Sequence, residues 1–469
     1  MNKLRVITQI KILLPITILL SACTNDESEM RSADKVFHVQ KMNTPLWERN
    51  ATIYEVDVRN YTKEGTFKAF SLHLPRLQKM GITTICFNPI FPIGFAKRRG
   101  ALGNPYSIAD FTKVNPELGS FEDFRELTLE IQDMGMHVLL DWVGNQTSWD
   151  HHWVESQPQW YVHRNDTISH PYFDNKPTHW TDVAELNYES ESLRSTMIES
   201  MKFWLRSADV DGFRCHAAQH IPDDFWTEAR PALERVKQVF MVADAEGNPR
   251  HYETCFQATH AWSLYQLFHE ISRGNANGND LRDYVARDRS SYPAGYFHIN
   301  FTATHHVRHQ KDMHDPHFGD AQEAMAVLAM TMEGMPSLYN GLEAELQKKL
   351  PLYDKGEIKW DSEKKQGFYI KLIQLKKFNK ALFNGKYGGQ MQIAEAASEV
   401  FAFLREKDGH RVAVIVNCSG NIISTPINLA LNSLSDLFTG KDYSRSSGEN
   451  LTMEPWQYLV LANPSITLQ

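Results

Sequence analysis

Cysteine is scarce in this chain. There are five in 469 residues, and no two of them form a CxxC pair. Paired-thiol motifs are therefore excluded. Cys86 and Cys215 lie inside apolar, strand-like runs, where cysteine acts as a small hydrophobe. Positive charge is not in excess either. Lys and Arg total 49 against 57 Asp and Glu, giving a net charge of -8 with the signs well mixed. Nucleic acid is excluded as a partner, because its recognition needs a basic face. Long hydrophobic runs are also missing. The apolar stretch Ile12 to Leu20 is too short to span a bilayer, and no other segment is long enough to cross one.

What is present at the N-terminus has the layout of a secretory signal. Lys3, Arg5 and Lys11 precede the apolar stretch. It ends in Leu20-Ser21-Ala22-Cys23, which resembles the lipobox of bacterial lipoproteins. That resemblance implies a signal peptide over 1–22 and lipidation of Cys23. Residues 23–45 are then a polar tether, acidic beside the anchor at Asp26, Glu27 and Glu29. The expected place is the bacterial cell envelope, lipid-anchored to a membrane and either periplasmic or surface-exposed.

A hydrophobic content of 42% over this length supports a large core and more than one domain. Eight β-rich runs are expected as strands: 51–61, 82–90, 136–145, 210–216, 238–246, 257–262, 296–306 and 335–341. Between them fall stretches such as FKAFSLHLPRLQKM, FEDFRELTLEIQDM and LRSTMIESMKFWLRSA, with apolar residues three and four apart. Strands alternating with helices predict a parallel sheet, and eight such units predict an α/β chain folded as a (β/α)8 TIM barrel. The expected barrel covers 46–146 and 188–384. A Trp-, His- and Pro-rich segment, 147–187, breaks the pattern after the third strand and reads as an inserted domain. From 385 to 469 the pattern is all-β, with a turn expected at Asp408-Gly409.

In such barrels catalytic groups stand at the C-terminal ends of the strands. Those ends supply Asp57, Asn88, Asp141 with Asn145, Arg214 with His216, Asp244 with Glu246, His260, and His305 with His306. Taken singly, each is as compatible with strand capping as with chemistry. Converging on one barrel mouth, they form a candidate site.

The motifs IYEVDVRNYTKEGTF, GNPYSIADFTKVNPELGSFEDF, LLDWVGNQTSWDHHW, DGFRCHAAQ, VFMVADAEG, FTATHH and GMPSLYNGLE occur in this order. Together they resemble the α-amylase family, glycoside hydrolase family 13, from about Trp47 to the C-terminus. The resemblance implies a catalytic barrel, an inserted domain after strand three, a C-terminal β-sandwich, and action on α-glucosidic bonds with retention. It also implies three carboxyl groups: a nucleophilic Asp, an acid/base Glu and a transition-state-stabilising Asp. In this chain His216 stands at the nucleophile position, Asp244 at the acid/base position and His306 at the stabiliser position. Two neighbours depart as well, Gln146 where the family commonly has His and Thr304 where it has Asn. Tyr106, Asp141, Asn145, Arg214 and His305 match the family. The implied sugar-binding set is Tyr106, Asp141, Gln146, Arg214 and His305.

The chemistry follows from the substitutions. A retaining mechanism needs two carboxyl groups about 5–5.5 Å apart, one of them forming a glycosyl ester. Imidazole at position 216 cannot form that ester, and Asp244 is one methylene shorter than the family's acid. The expectation is a catalytically impaired protein of carbohydrate metabolism that binds α-glucan oligosaccharides in the old cleft. Trp142, Trp149, Trp153, Trp160 and Trp180 are candidate sugar-stacking rings. Two alternatives stay open. One is an active hydrolase or transferase using Asp244 or Glu246. The other is a metal site made by His216, Asp244 and His306, since two His and one carboxylate suit Fe(II) or Zn(II). No cofactor is required by the leading reading. Calcium near Asn145 or a transition metal are the ions the alternatives admit.

Overall fold

A computed structural model describes residues 42–173, 175–305, 318–346, 349–360 and 365–464. The signal, Cys23 and His306 calls lie outside these residues.

Eight parallel strands close into a barrel in chain order: β1 (Ile53–Val56), β2 (Thr84–Phe87), β3 (His137–Trp142), β4 (Gly212–His216), β5 (Phe240–Asp244), β6 (Ala258–His260), β7 (Phe297–Phe301) and β8 (Met335–Tyr339). Each falls inside one of the eight expected runs. β8 pairs with β1 to complete the ring. A strand turns alternate side chains to opposite faces. Ile53, Leu139, Phe240, Val242, Ala258, Phe297, Ile299 and Met335 therefore meet inside the barrel, with Cys86, as one apolar plug. The alternate set, including Tyr54, Ile85, Leu140, Phe213 and Met241, packs outward under the helices. β4 approaches β5 closely at its start. A Cβ on Gly212 would lie 1.8 Å from the Phe240 carbonyl oxygen, so this position has no room for a side chain.

The helices follow the expected periodicities with one difference. FEDFRELTLEIQDM forms a helix over Phe121–Asp133, started by a reciprocal capping box between Ser120 and Asp123. LRSTMIESMKFWLRSA falls in the helix Glu191–Ser207 and ends at its C-cap, Ala208; the N-cap is Ser190. FKAFSLHLPRLQKM is not one helix but two, Phe67–Ser71 and Leu74–Met80. Pro75 explains the break, because proline lacks an N–H and fits only a first helical turn.

After β3 the chain forms small two-stranded pieces. Gln146–Thr147 pairs with Ala184–Glu185, His163–Arg164 with Thr167–Ile168, and Tyr172–Phe173 with Lys176–Pro177. The C-terminal part is antiparallel. A six-stranded sheet includes Val400–Lys407, His410–Asn417 and Tyr458–Asn463, and a second pair joins Ile423–Pro426 to Asn450–Met453, as a β-sandwich requires. The hairpin between Val400–Lys407 and His410–Asn417 turns at Asp408 and Gly409. Both have positive φ (48° and 79°), as a tight two-residue β-turn demands. Among the described residues no helix is long and apolar enough to cross a membrane.

Candidate functional site

The mouth of the barrel is built by register. β3 and β4 set Arg214 opposite Asp141, and β4 and β5 set His216 opposite Asp244. Arg214 and His216 are two residues apart on one strand and share its inner face. They nonetheless enter different surroundings.

Arg214 is buried in an anionic cradle. Its Nε and one terminal nitrogen donate to the two Asp141 oxygens at 3.1 and 2.6 Å. The same terminal nitrogen donates to Asn88 Oδ1 at 3.1 Å, and the other lies 2.9 Å from Glu55 Oε2. Burial alone would depress the guanidinium, but Asp141 and Glu55 outweigh it and hold Arg214 well above the ordinary arginine value. Glu55 reaches further. Its Oε1 accepts the backbone N–H of His305 at 3.1 Å and bonds the His305 ring at Nδ1.

The other half of the mouth is a group of imidazoles around one carboxylate. His216 Nδ1 lies 3.5 Å from Asp244 Oδ2. His260 Nδ1 lies 3.5 Å from Asp244 Oδ1, and Trp262 Nε1 donates to the same oxygen at 3.3 Å. Burial lowers His260 below the ordinary histidine value despite Asp244 beside it, which keeps the ring neutral at pH 7. Tyr106 roofs the group. Its ring centroid is 4.7 Å from that of His216 and 5.4 Å from that of His305. Burial pushes its phenol well above the usual tyrosine value, so it stays protonated. One ligand atom each from His216, Asp244 and His305 lie within 4.8 Å of one another.

The structure thus brings together His216, Asp244, Arg214, Tyr106 and His305. Other expected site residues are tied into this frame. Asp141 has no exposed surface, and both its oxygens accept from Arg214, which it positions. Gln146 donates to the Tyr106 carbonyl at 3.0 Å and accepts from Asn145 Nδ2 at 3.2 Å, so its amide positions Tyr106. Glu246 is spent on Ser263, accepting its N–H and its hydroxyl at 2.6 Å each. Trp142, Trp153 and Trp160 are core residues, not cleft rings. Trp142 packs edge-on to Phe91 and Phe213, and Trp153 stacks on Phe111 and meets Trp160 edge to face. Trp149 and Trp180 are half-buried and remain candidates.

Glu55 is the site residue the sequence reading missed. The signal was its place inside the apolar run IYEV, on the same strand face as Ile53 and Asp57. A fully buried carboxylate there needs a buried cation or strong donors.

The sequence profile of the alpha amylase catalytic domain matches residues 40–382. Alpha-amylase 3 of Dictyoglomus thermophilum is 24% identical over 367 residues, which is 71% of this chain and 71% of that protein. Alpha-1,4-glucan:maltose-1-phosphate maltosyltransferase 1 of Streptomyces coelicolor is 28% identical over 325 residues, 65% of this chain. The chain spans less than half of that relative, 46% of its length. Among solved structures, an alpha-amylase from Lactobacillus plantarum superposes with a TM-score of 0.76 at 25% identity, covering 89% of this chain and 99% of that one. A maltogenic alpha-amylase from Thermotoga neapolitana gives 0.77 at 24% identity, covering 88% and 98%, and shows the shared fold alone.

Proposed function

The chain belongs to the α-amylase family, and from that premise we propose that it binds α-glucan oligosaccharides at the barrel mouth while its retaining glycosidase chemistry is impaired. One observation carries the reading: an imidazole, His216, ends β4 two residues after Arg214, where the family resemblance puts the nucleophilic carboxylate. The remaining carboxylates do not replace it. Glu55 and Asp141 are committed to Arg214, and Glu246 to Ser263. Asp57 accepts from Asn60 at 2.6 Å. Asp244 is the carboxylate set among the imidazoles, and a retaining mechanism needs two facing carboxyl groups. Loss of one member of a catalytic set in other hydrolases costs on the order of 10⁴-fold or more.

The test uses purified protein and a series of maltooligosaccharides. Calorimetry is expected to show binding, and product analysis to show no turnover above background. Turnover abolished by Asp244→Ala would sink the impaired reading. Absence of binding heat with every α-glucan tried would sink the glucan reading. The triple variant His216→Asp, Asp244→Glu, His306→Asp is expected to regain measurable hydrolysis if the rest of the mouth still fits a sugar.

We further propose that the protein resides at the bacterial cell envelope, held to a membrane by a lipid on Cys23. The lipobox-like Leu20-Ser21-Ala22-Cys23 supports it. Cys23→Ser is expected to move the protein from the membrane fraction to the soluble one. Unchanged fractionation would remove the anchor from the account.

A further inference from the structure

The geometry points to a binding site for one divalent transition-metal ion of zinc type, formed by His216, Asp244 and His305. The sequence alone suggested a triad through His306, which lies outside the described residues. The described cluster instead uses His305, from the segment after β7. Among the described residues it is the one group of three His, Cys, Asp or Glu side chains close enough to share an ion. The proposal stands on this geometry and does not depend on the glucan reading.

Separation is the first argument. A tetrahedral ion bound at 2.0–2.1 Å sets its ligands roughly 3.3 Å apart. His216 Nδ1 and Asp244 Oδ2 are already at 3.5 Å, and no pair in the set exceeds 4.8 Å. Side-chain movements of up to about 1.5 Å would close the remainder.

The second argument is the outer shell. Metal-bound histidines usually give their other ring nitrogen to a carboxylate, which fixes the tautomer and aims the ligand nitrogen. Glu55 does this for His305 by bonding Nδ1, so Nε2 is the nitrogen assigned to the ion. A ligating carboxylate is likewise held through one oxygen. His260 and Trp262 both address Asp244 Oδ1, and Oδ2 is the oxygen beside His216. Two of the three ligands therefore already have the support that metal sites have.

Charge is the third argument. Arg214 would oppose a cation on its own. Glu55, Asp141 and Asp244 set three carboxylates against that one guanidinium, an excess that suits a dication when the imidazoles are neutral. Two nitrogens and one oxygen favour Zn, Fe, Ni or Cu over calcium and magnesium, which take oxygen ligands. Three protein ligands also leave a fourth coordination position for water or another small ligand.

The test is titration of the full chain, stripped with a chelator, with Zn²⁺ by calorimetry and with Co²⁺ by visible absorption. One site per chain is expected, with a Co²⁺ spectrum of four- or five-coordinate type. His216→Ala and Asp244→Ala are expected to weaken it at least about 100-fold, and Glu55→Gln by about 10- to 100-fold. Thermal unfolding of each variant checks that it folds. Should His216→Ala fail to fold, His305→Gln and the Co²⁺ spectrum of the unaltered chain carry the test. Zn²⁺ uptake that persists in His216→Ala and disappears in His151→Gln/His152→Gln would overturn the proposal, since the chain has 20 histidines. So would no uptake, or an octahedral Co²⁺ spectrum from surface sites. Sugar titration of the metal-free chain keeps this outcome separate from that of the glucan reading.

Discussion

Arg214 and His216 sit two residues apart on one strand, yet the two halves of the mouth they enter are held very differently. The Arg214 half is closed. Its contacts to Asp141, Glu55 and Asn88 run from 2.6 to 3.1 Å, and the guanidinium is bidentate on Asp141. The Asp244 half is wider where it faces His216, His260 and Trp262: those contacts run from 3.3 to 3.5 Å. A charge-assisted fork holds a fixed frame. His216 and His260 each stand 3.5 Å from an Asp244 oxygen, close to the separation of two ligand atoms on one tetrahedral ion. His216 and Asp244, the two positions on which the proposed loss of glycosidase chemistry rests, fall in the wider half.

The largest effect that separates the halves is on stability. Arg214→Met leaves the buried Glu55 and Asp141 carboxylates without their cation. Removing one partner of such a pair costs about 3–5 kcal/mol. Asp244→Asn removes a charge but keeps an oxygen for the Trp262 N–H, and loses about 1 kcal/mol. Urea unfolding of both variants measures the contrast. Equal losses would mean that the two halves are equally load-sharing, and the distinction drawn from distances would fail. A loss below about 1 kcal/mol for Arg214→Met would mean that the cradle relaxes around methionine, as some buried ionic groups do when replaced by apolar ones.

The barrel was legible because its signals are local and repeated. Eight apolar runs, each bounded by turns and followed by helical periodicity, admit few other arrangements, and Asp408-Gly409 named its own hairpin. The ends of those runs also named the mouth: His216, Asp244 and His305 do converge. What the sequence hid was which side chains face a ligand and which hold those that do. Asp141 and Gln146 carry the same chemistry as a binding residue, and only three-dimensional pairing shows their oxygens and amide spent on Arg214, Tyr106 and Asn145. Glu55 was hidden for the opposite reason. It lies in mid-strand, two residues before the strand-end position where a site is sought, and its partners are about 160 and 250 residues away in sequence. Trp142, Trp153 and Trp160 misled because an aromatic next to a polar loop motif looks the same in sequence whether it lines a cleft or seals a core.

The smallest effect concerns how the wider half is aimed. The chain leaves β4 through Ala217, whose φ of 48° and ψ of 41° are left-handed. For an L-residue with a Cβ that conformation costs about 1–2 kcal/mol. Strain of this kind persists where the surrounding structure dictates it, and here the residue immediately before it is His216. Glycine removes the steric cost but adds about 0.4–1 kcal/mol of unfolded-chain freedom. Ala217→Gly is therefore expected to stabilise the protein by up to about 1.5 kcal/mol, the difference between those terms. The sign, read from the urea midpoint, decides the point. A stabilised variant means that the sharp exit is paid for locally at Ala217 and that the barrel, not the loop, fixes where His216 points. A destabilised one means that the alanine methyl, buried beside the site, contributes more by packing than its backbone loses, and the exit then has no strain to relieve.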